Sequence, residues 1–186
     1  MADYQGEKLR KVLFKLFQKH FGDQNVKTKW RASSESADDF DSSYIYTPET
    51  DIVIGPFNTN RRIEENNSLI DLKVSEYASF FSFLNRISST PYQNHLLNKN
   101  PRCFLAIEVA GSGSEKHLLG DMFNASIIGK IGIVIGTTPE IVKSYMRLYE
   151  YVNYVHTVGK IDQTFGNLAI LLGSDMLTVI ETVNNI

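Results

Sequence analysis

The chain of 186 residues has a single cysteine, Cys103, so no disulfide framework and no multi-cysteine zinc or iron–sulfur site is open to it. Its four histidines show neither HExxH nor His-x-His spacing, and no GxSxG elbow, kinase signature or zinc pattern is present. Charge of one sign is also missing. Nineteen basic groups stand against 21 acidic ones, a formal net of −2, which excludes an overall basic nucleic-acid coat but not a local basic face. No apolar run nears the roughly 18 residues of a membrane helix, so no membrane association is expected. The opening stretch MADYQGEKLRK lacks the apolar core of a secretion signal, and a reducing, cytoplasmic setting follows as the expectation. There are no internal repeats and no low-complexity tract. With 42% apolar and 22% charged residues, the composition is that of one ordinary globular domain spanning 1–186.

Charge and hydropathy are patterned along that length. Residues 1–31 carry eight basic and three acidic groups, whereas 33–51 carry six acidic and none basic. Leu9, Val12, Leu13, Leu16 and Phe17 recur at helical spacing, with Lys8, Lys11, Lys15 and Lys19 on the other side. That lysine row is either a solvated face or a phosphate-facing stripe. Ala32–Phe40 reads as a loop. Its Asp38 and Asp39, with Asp41 beyond, lack the spacing of a calcium loop. Ser43–Tyr46 suits a short strand, Asp51–Phe57 a buried strand, and Thr59–Asn67 a polar loop. Ser68–Ile87 returns to helical spacing, and Ser88–Arg102 is rich in turn formers.

Further on, Cys103–Ala110 (CFLAIEVA) and Lys130–Gly136 (KIGIVIG) are apolar strands joined by a helix from about Glu115 to Ile128. Ser112-x-x-Glu115 matches a capping box, and Gly129 follows the helix. Thr138-Pro139 opens a long helix, Asn167–Leu172 suits a short strand, and Ser174 is placed to cap a last helix. Continuous apolar strands alternating with helices predict an α/β fold, three layers in αβα order around a central mixed sheet.

Two carboxylates interrupt the apolar strands. Asp51 opens DIVIG, and Glu108 lies inside FLAIEVA. Buried carboxylates are rare unless they are paired or hold a metal. One at the start of a strand and another within a second strand can converge on a hard cation such as Mg²⁺ or Mn²⁺; otherwise Asp51 is a turn residue and Glu108 a strand-end partner for a lysine. The loop Gly111-Ser112-Gly113-Ser114 leads into the next helix with Lys116 in its first turn. It is either a plain connection or, with Ser112 and Ser114, a phosphate contact. His117, Asp121 and Asn124 form a polar stripe on that helix. Either the stripe is a wetted rim, or His117 and Asn124 line a cleft and contact substrate. Trp30, beside Lys27, Lys29 and Arg31, suits a core position or a nucleic-acid contact. Tyr145, Tyr149, Tyr151 and Tyr154 suit packing, and Cys103 an inert buried place.

Pro48-x-x-Asp51 before an apolar strand, then Glu108 in a second strand, a helix and KIGIVIG, resembles the PD-(D/E)XK, restriction-endonuclease-like nuclease superfamily over about residues 5–136. The resemblance implies an αβββαβ core, here with a helical insertion at about 59–102, and a divalent ion held by Asp51 and Glu108. It implies a DNA substrate (RNA less so), hydrolysis of a phosphodiester, and a possible homodimer. It also implies help from a helix acid, here Glu7. The superfamily's lysine would stand at 110, where this chain has Ala110. Lys116 is the expected stand-in, with Lys130 a weaker one. Two functions stay open: a Mg²⁺-dependent nuclease with Asp51, Glu108 and Lys116 as catalytic residues, or an inactive relative that binds nucleic acid or another protein.

Overall fold

The computed structural model describes residues 2–32, 48–57, 75–90, 93, 97–162 and 164–185. In chain order these form α1 (Ala2–Phe21), β1 (Val26–Trp30), β2 (Thr50–Ile54), α2 (Ala78–Ile87), β3 (Cys103–Ala110), α3 (Glu115–Ile128), β4 (Gly129–Gly136), α4 (Pro139–Thr157), β5 (Leu168–Leu172) and α5 (Gly173–Val183). The five described strands form one sheet in the order β1-β2-β3-β4-β5. The β1–β2 and β2–β3 pairs are antiparallel, and the β3–β4 and β4–β5 pairs are parallel. This is the expected α/β fold with a mixed sheet.

The layers follow from the alternation of side chains along each strand. Ile52, Leu105, Ile107, Ile133 and Leu171 face one way and pack with Leu13 and Phe17 of α1, Phe81 and Leu84 of α2, and Ile180 of α5. Val134, Leu168 and Ile170 face the other way, against Leu118 and Met122 of α3 and Tyr145 and Val152 of α4. Every residue of β3 and β4 is buried, as expected of strands covered on both faces. Beyond β5, the chain leaving α2 covers the sheet edge: Ser89 N–H donates to the Ile170 carbonyl at 2.9 Å, and Thr90 Oγ1 to that of Leu168 at 3.2 Å.

Several local expectations need correction. The Ser112–Glu115 capping box does not form. Ser114 is the N-cap of α3 and makes no side-chain capping bond. Gly129 ends α3 without a left-handed turn, at φ −82° and ψ 149°, and passes straight into β4. Close approach explains this glycine, because a Cβ there would meet the Ile131 carbonyl at 2.5 Å and Ala106 N at 2.7 Å. Ser174 lies inside the first turn of α5, whose N-cap is Leu172. Thr138, by contrast, caps α4 ahead of Pro139, accepting from Ile141 N–H at 3.4 Å. Trp30 is a core residue, its ring tilted against that of Phe57 at 5.6 Å. The acidic loop with Asp38, Asp39 and Asp41, the Ser43–Tyr46 segment, Thr59–Asn67 and the first part of the Ser68–Ile87 helix lie outside the described residues.

Candidate functional site

β2 and β3 pair with Ile52 opposite Ile107, so one step along the antiparallel register sets Asp51 opposite Glu108. Both side chains lie on the sheet face covered by α3 and α4. Each carboxylate reaches the other strand's backbone: Asp51 N–H donates to Glu108 Oε2 at 3.3 Å, and Val109 N–H donates to Asp51 Oδ2 at 2.9 Å. The remaining Asp51 oxygen, Oδ1, lies 3.1 Å from Nε of Arg10, an α1 residue that comes over the end of the sheet. The two acids that the sequence pairs across 57 positions are therefore neighbours.

A third acid joins them. Asp121 of α3 accepts a hydrogen bond from the Tyr145 hydroxyl of α4 at 3.0 Å. Burial is the main reason that all three carboxyls are held above their usual range. Glu108, only 5% exposed, is pushed well up by desolvation, then by the charges of Asp51 and Asp121; the Asp51 N–H and the Asn124 amide act in the opposite sense. Asp51 is raised by burial against the opposing Val109 N–H and Arg10. Asp121 is raised to about 6 by burial, with the Tyr145 hydroxyl opposing. Burial, then Asp121, holds the Tyr145 hydroxyl protonated. Asp51 and Glu108, with the charge of Asp121 acting on Glu108, leave the site short of positive charge when ionised, Arg10 opposing at Asp51 and Asp121. Glu108 Oε1 is buried and has no hydrogen-bond partner among the described residues.

Of the α3 stripe, Asp121 and Asn124 act on Glu108, so this part of the stripe lines the site. His117 is exposed at the rim, its Nδ1 3.2 Å from Ser114 Oγ, and its charge acts on Asp121. Ser112 is exposed and no described contact ties it to the acids. Lys116 is likewise exposed in the first turn of α3 and is not among the groups that chiefly set the charge of Asp51, Glu108 or Asp121. Lys130 is buried near the start of β4, whereas Glu108 pairs with Val134, four residues on; that separation is about 13 Å along a strand. Ala110 is packed with Leu118 and Met122 and leaves an apolar wall where a strand lysine would stand.

Glu7 needs correction as a helper. It is exposed and pairs with Lys11 at 2.6 Å, one turn along α1, so Arg10 rather than Glu7 reaches the site. The lysine row of α1 faces solvent. Because α1 and α3 cover opposite faces of the sheet, Lys8, Lys11 and Lys15 form no single stripe with Lys116.

Sequence reasoning missed Arg10 and the part played by Tyr145. Arg10 adjoins the apolar stripe of α1 and looks like one more surface cation. Tyr145 fits the apolar period of α4. Among the described residues no three His, Cys, Asp or Glu side chains stand close enough to form a ready metal-binding group. No helix among them is long and apolar enough to cross a membrane. An open hollow of about 370 Å³ at the other end of the sheet is lined by Asn98, Ser126, Asp162 and Asn167, among others. There the Asn98 and Asn167 amides bond the last carbonyls of α3, which is a capping role. No protein family, curated protein or solved structure matches this chain.

Proposed function

We propose that Asp51 and Glu108 form the divalent-cation site of a nuclease-like phosphodiesterase acting on DNA. The observation that carries this reading is the unpartnered Oε1 of Glu108, buried beside Asp51 at a point where negative charge outweighs positive. A buried, unpaired carboxylate is unfavourable unless a cation completes it. The donors offered are all hard oxygens, the set that Mg²⁺ or Mn²⁺ prefers, with water and phosphate filling the rest of the shell. The residues present therefore fit such an ion, with Asp51 and Glu108 as the side chains that would hold it. When bound, it would supply Lewis-acid stabilisation of a phosphodiester and a more acidic water.

The protein's own groups would do the rest. The Val109 N–H fixes the Asp51 carboxylate, and the Asp51 N–H fixes that of Glu108. Tyr145 holds Asp121 at the edge of the pair. Asp121, held near neutrality in its titration, is suited to take or give a proton at working pH. Ser114, His117 and Asn124 stand along α3 where a phosphate backbone would pass, and Lys116 would meet it from the exposed first turn.

Ala110 and Arg10 favour a second reading. With an apolar residue at 110 and Asp51 already beside a guanidinium, the same fold would serve as an inactive module that binds nucleic acid without cutting it. One experiment separates them. Purified protein is incubated with linear, circular and single-stranded DNA in Mg²⁺ or Mn²⁺, beside Asp51→Asn and Glu108→Gln. Cleavage that needs metal and vanishes in both variants supports the enzyme. Salt-sensitive binding without cleavage supports the module.

A further inference from the structure

Arg10 meets Asp51 in an unusual way. Its Nε is 3.1 Å from Asp51 Oδ1, yet it is buried and off the direction of a hydrogen bond. A guanidinium has five N–H donors and typically grips a carboxylate through two of them. Nε is the Arg10 nitrogen set against Asp51, and no well-directed hydrogen bond holds it there. A side chain kept only to neutralise Asp51 would be expected to use its fork. On the strand opposite Asp51, Glu108 Oε1 is a buried acceptor with no well-directed hydrogen bond. The site therefore contains a cation whose Nε donor is unused and an anion with an unused acceptor. A cation bound together with an anionic phosphate oxygen satisfies both.

The position of Arg10 is built into the packing of α1. A Cβ on Gly6 would stand 2.9 Å from Gly111 N and 3.1 Å from its Cα, so the start of the helix lies directly on the loop that leaves β3. Leu9 abuts Gly173, where a Cβ would meet its Cδ2 at 2.5 Å. These two approaches, both within the turn before Arg10, fix where its side chain departs. The other cations considered are worse placed: Lys116 is exposed and Lys130 lies toward the far end of β4.

We propose that Arg10 is the phosphate-binding residue of this site, a guanidinium supplied from α1 in place of a strand lysine at 110. The inference rests on the cation-site reading of Asp51 and Glu108 but is tested separately from it. Arg10 releases its approach to Asp51 and turns its N–H fork onto a non-bridging oxygen of the DNA backbone.

The test uses the full chain and a fluorescent DNA duplex, with anisotropy read in EDTA at low salt. Arg10→Gln should weaken binding by about tenfold, and Arg10→Lys, which keeps the charge but loses the fork, by about threefold. Lys160→Gln removes an equal charge beyond the end of α4 and should change binding by less than about twofold. No duplex binding by the unsubstituted chain overturns the assignment. So does equal binding by Arg10→Gln, or an equal loss in Lys160→Gln. If Arg10→Gln fails to fold, Arg10→Lys decides, and unweakened binding by it refutes the assignment. Calorimetric titration with Mn²⁺ isolates the underlying reading. Arg10→Gln should keep Mn²⁺ affinity, or gain some, and Glu108→Gln should lose it. Duplex binding that needs Arg10 in a protein that takes no Mn²⁺ sinks the cation site and leaves Arg10 standing. Mn²⁺ binding through Glu108 with DNA binding indifferent to Arg10 does the reverse.

Discussion

Glu108→Gln should stabilise the metal-free protein, which is the opposite of what most substitutions of a buried residue do. The side chain is 5% exposed, Oε1 has no partner, and Asp51 and Asp121 both repel its charge. Glutamine keeps the shape, and its carbonyl can still accept from the Asp51 N–H. Its amide adds donors among acceptors. An unpartnered buried polar group costs about 1–3 kcal/mol, and more when charged, so a gain of at least about 1–3 kcal/mol is expected at neutral pH in EDTA. In a domain of this size that is a rise in Tm of about 2–12 °C. The sign with pH follows from the raised carboxyl. A group whose folded pKa lies above its unfolded value favours folding when protonated, so the penalty of wild-type Glu108 is absent below its ordinary 4.5. It grows as pH climbs from there through the raised folded value, and the advantage of Glu108→Gln should grow with it. Added Mn²⁺ should act in the opposite direction. At a hundredfold excess over its Kd, a ligand specific to the folded state adds about 2.7 kcal/mol. Wild type should gain this and Glu108→Gln should not. Calorimetric melting over a pH series, in EDTA and in MnCl2, reads both effects. A Glu108→Gln protein less stable than wild type in EDTA, or one that gains equally from Mn²⁺, would refute the reasoning.

Other expectations follow from individual contacts. Asp121 should titrate near 6 in a carboxyl NMR experiment, and Tyr145→Phe, by removing the hydroxyl that donates to it, should move that midpoint upward; a downward move contradicts the assigned partner. Gly132→Ala should cost about 1–3 kcal/mol in urea unfolding, because its Cβ would meet the Ala125 carbonyl carbon at 2.7 Å where α3 lies on β4, and no loss would mean that the two can separate freely. Asn167→Ala should lose at least about 2 kcal/mol in the same assay, since the buried amide accepts from Ser126 Oγ at 2.6 Å and donates to the Ser126 carbonyl at 2.9 Å. A loss under half of that would mean that water replaces the amide.

The strand residues of the site are legible because they break a pattern. Asp51 and Glu108 are polar in runs that otherwise read as buried on both faces, and a buried carboxylate demands a reason. The central strand–helix–strand unit is equally plain, since FLAI and IGIVI leave little choice but a covered parallel pair. Arg10 is not legible. Its reach depends on how α1 crosses the sheet end, which is set by Gly6 against Gly111 and Leu9 against Gly173, contacts between segments far apart in the chain. Tyr145 is hidden for the opposite reason: its ring obeys the apolar period, and only its hydroxyl reaches Asp121. The capping box misleads because Ser112 and Glu115 have the right spacing but the helix begins only at Glu115, with Ser114 rather than Ser112 as its N-cap.

Crystals grown with Mn²⁺ and measured for anomalous scattering at the manganese edge test the central claim most directly. One strong peak is expected between the carboxylates of Asp51 and Glu108, on the side of Glu108 Oε1. An empty site at saturating Mn²⁺, or a peak only at other acidic residues, would contradict it.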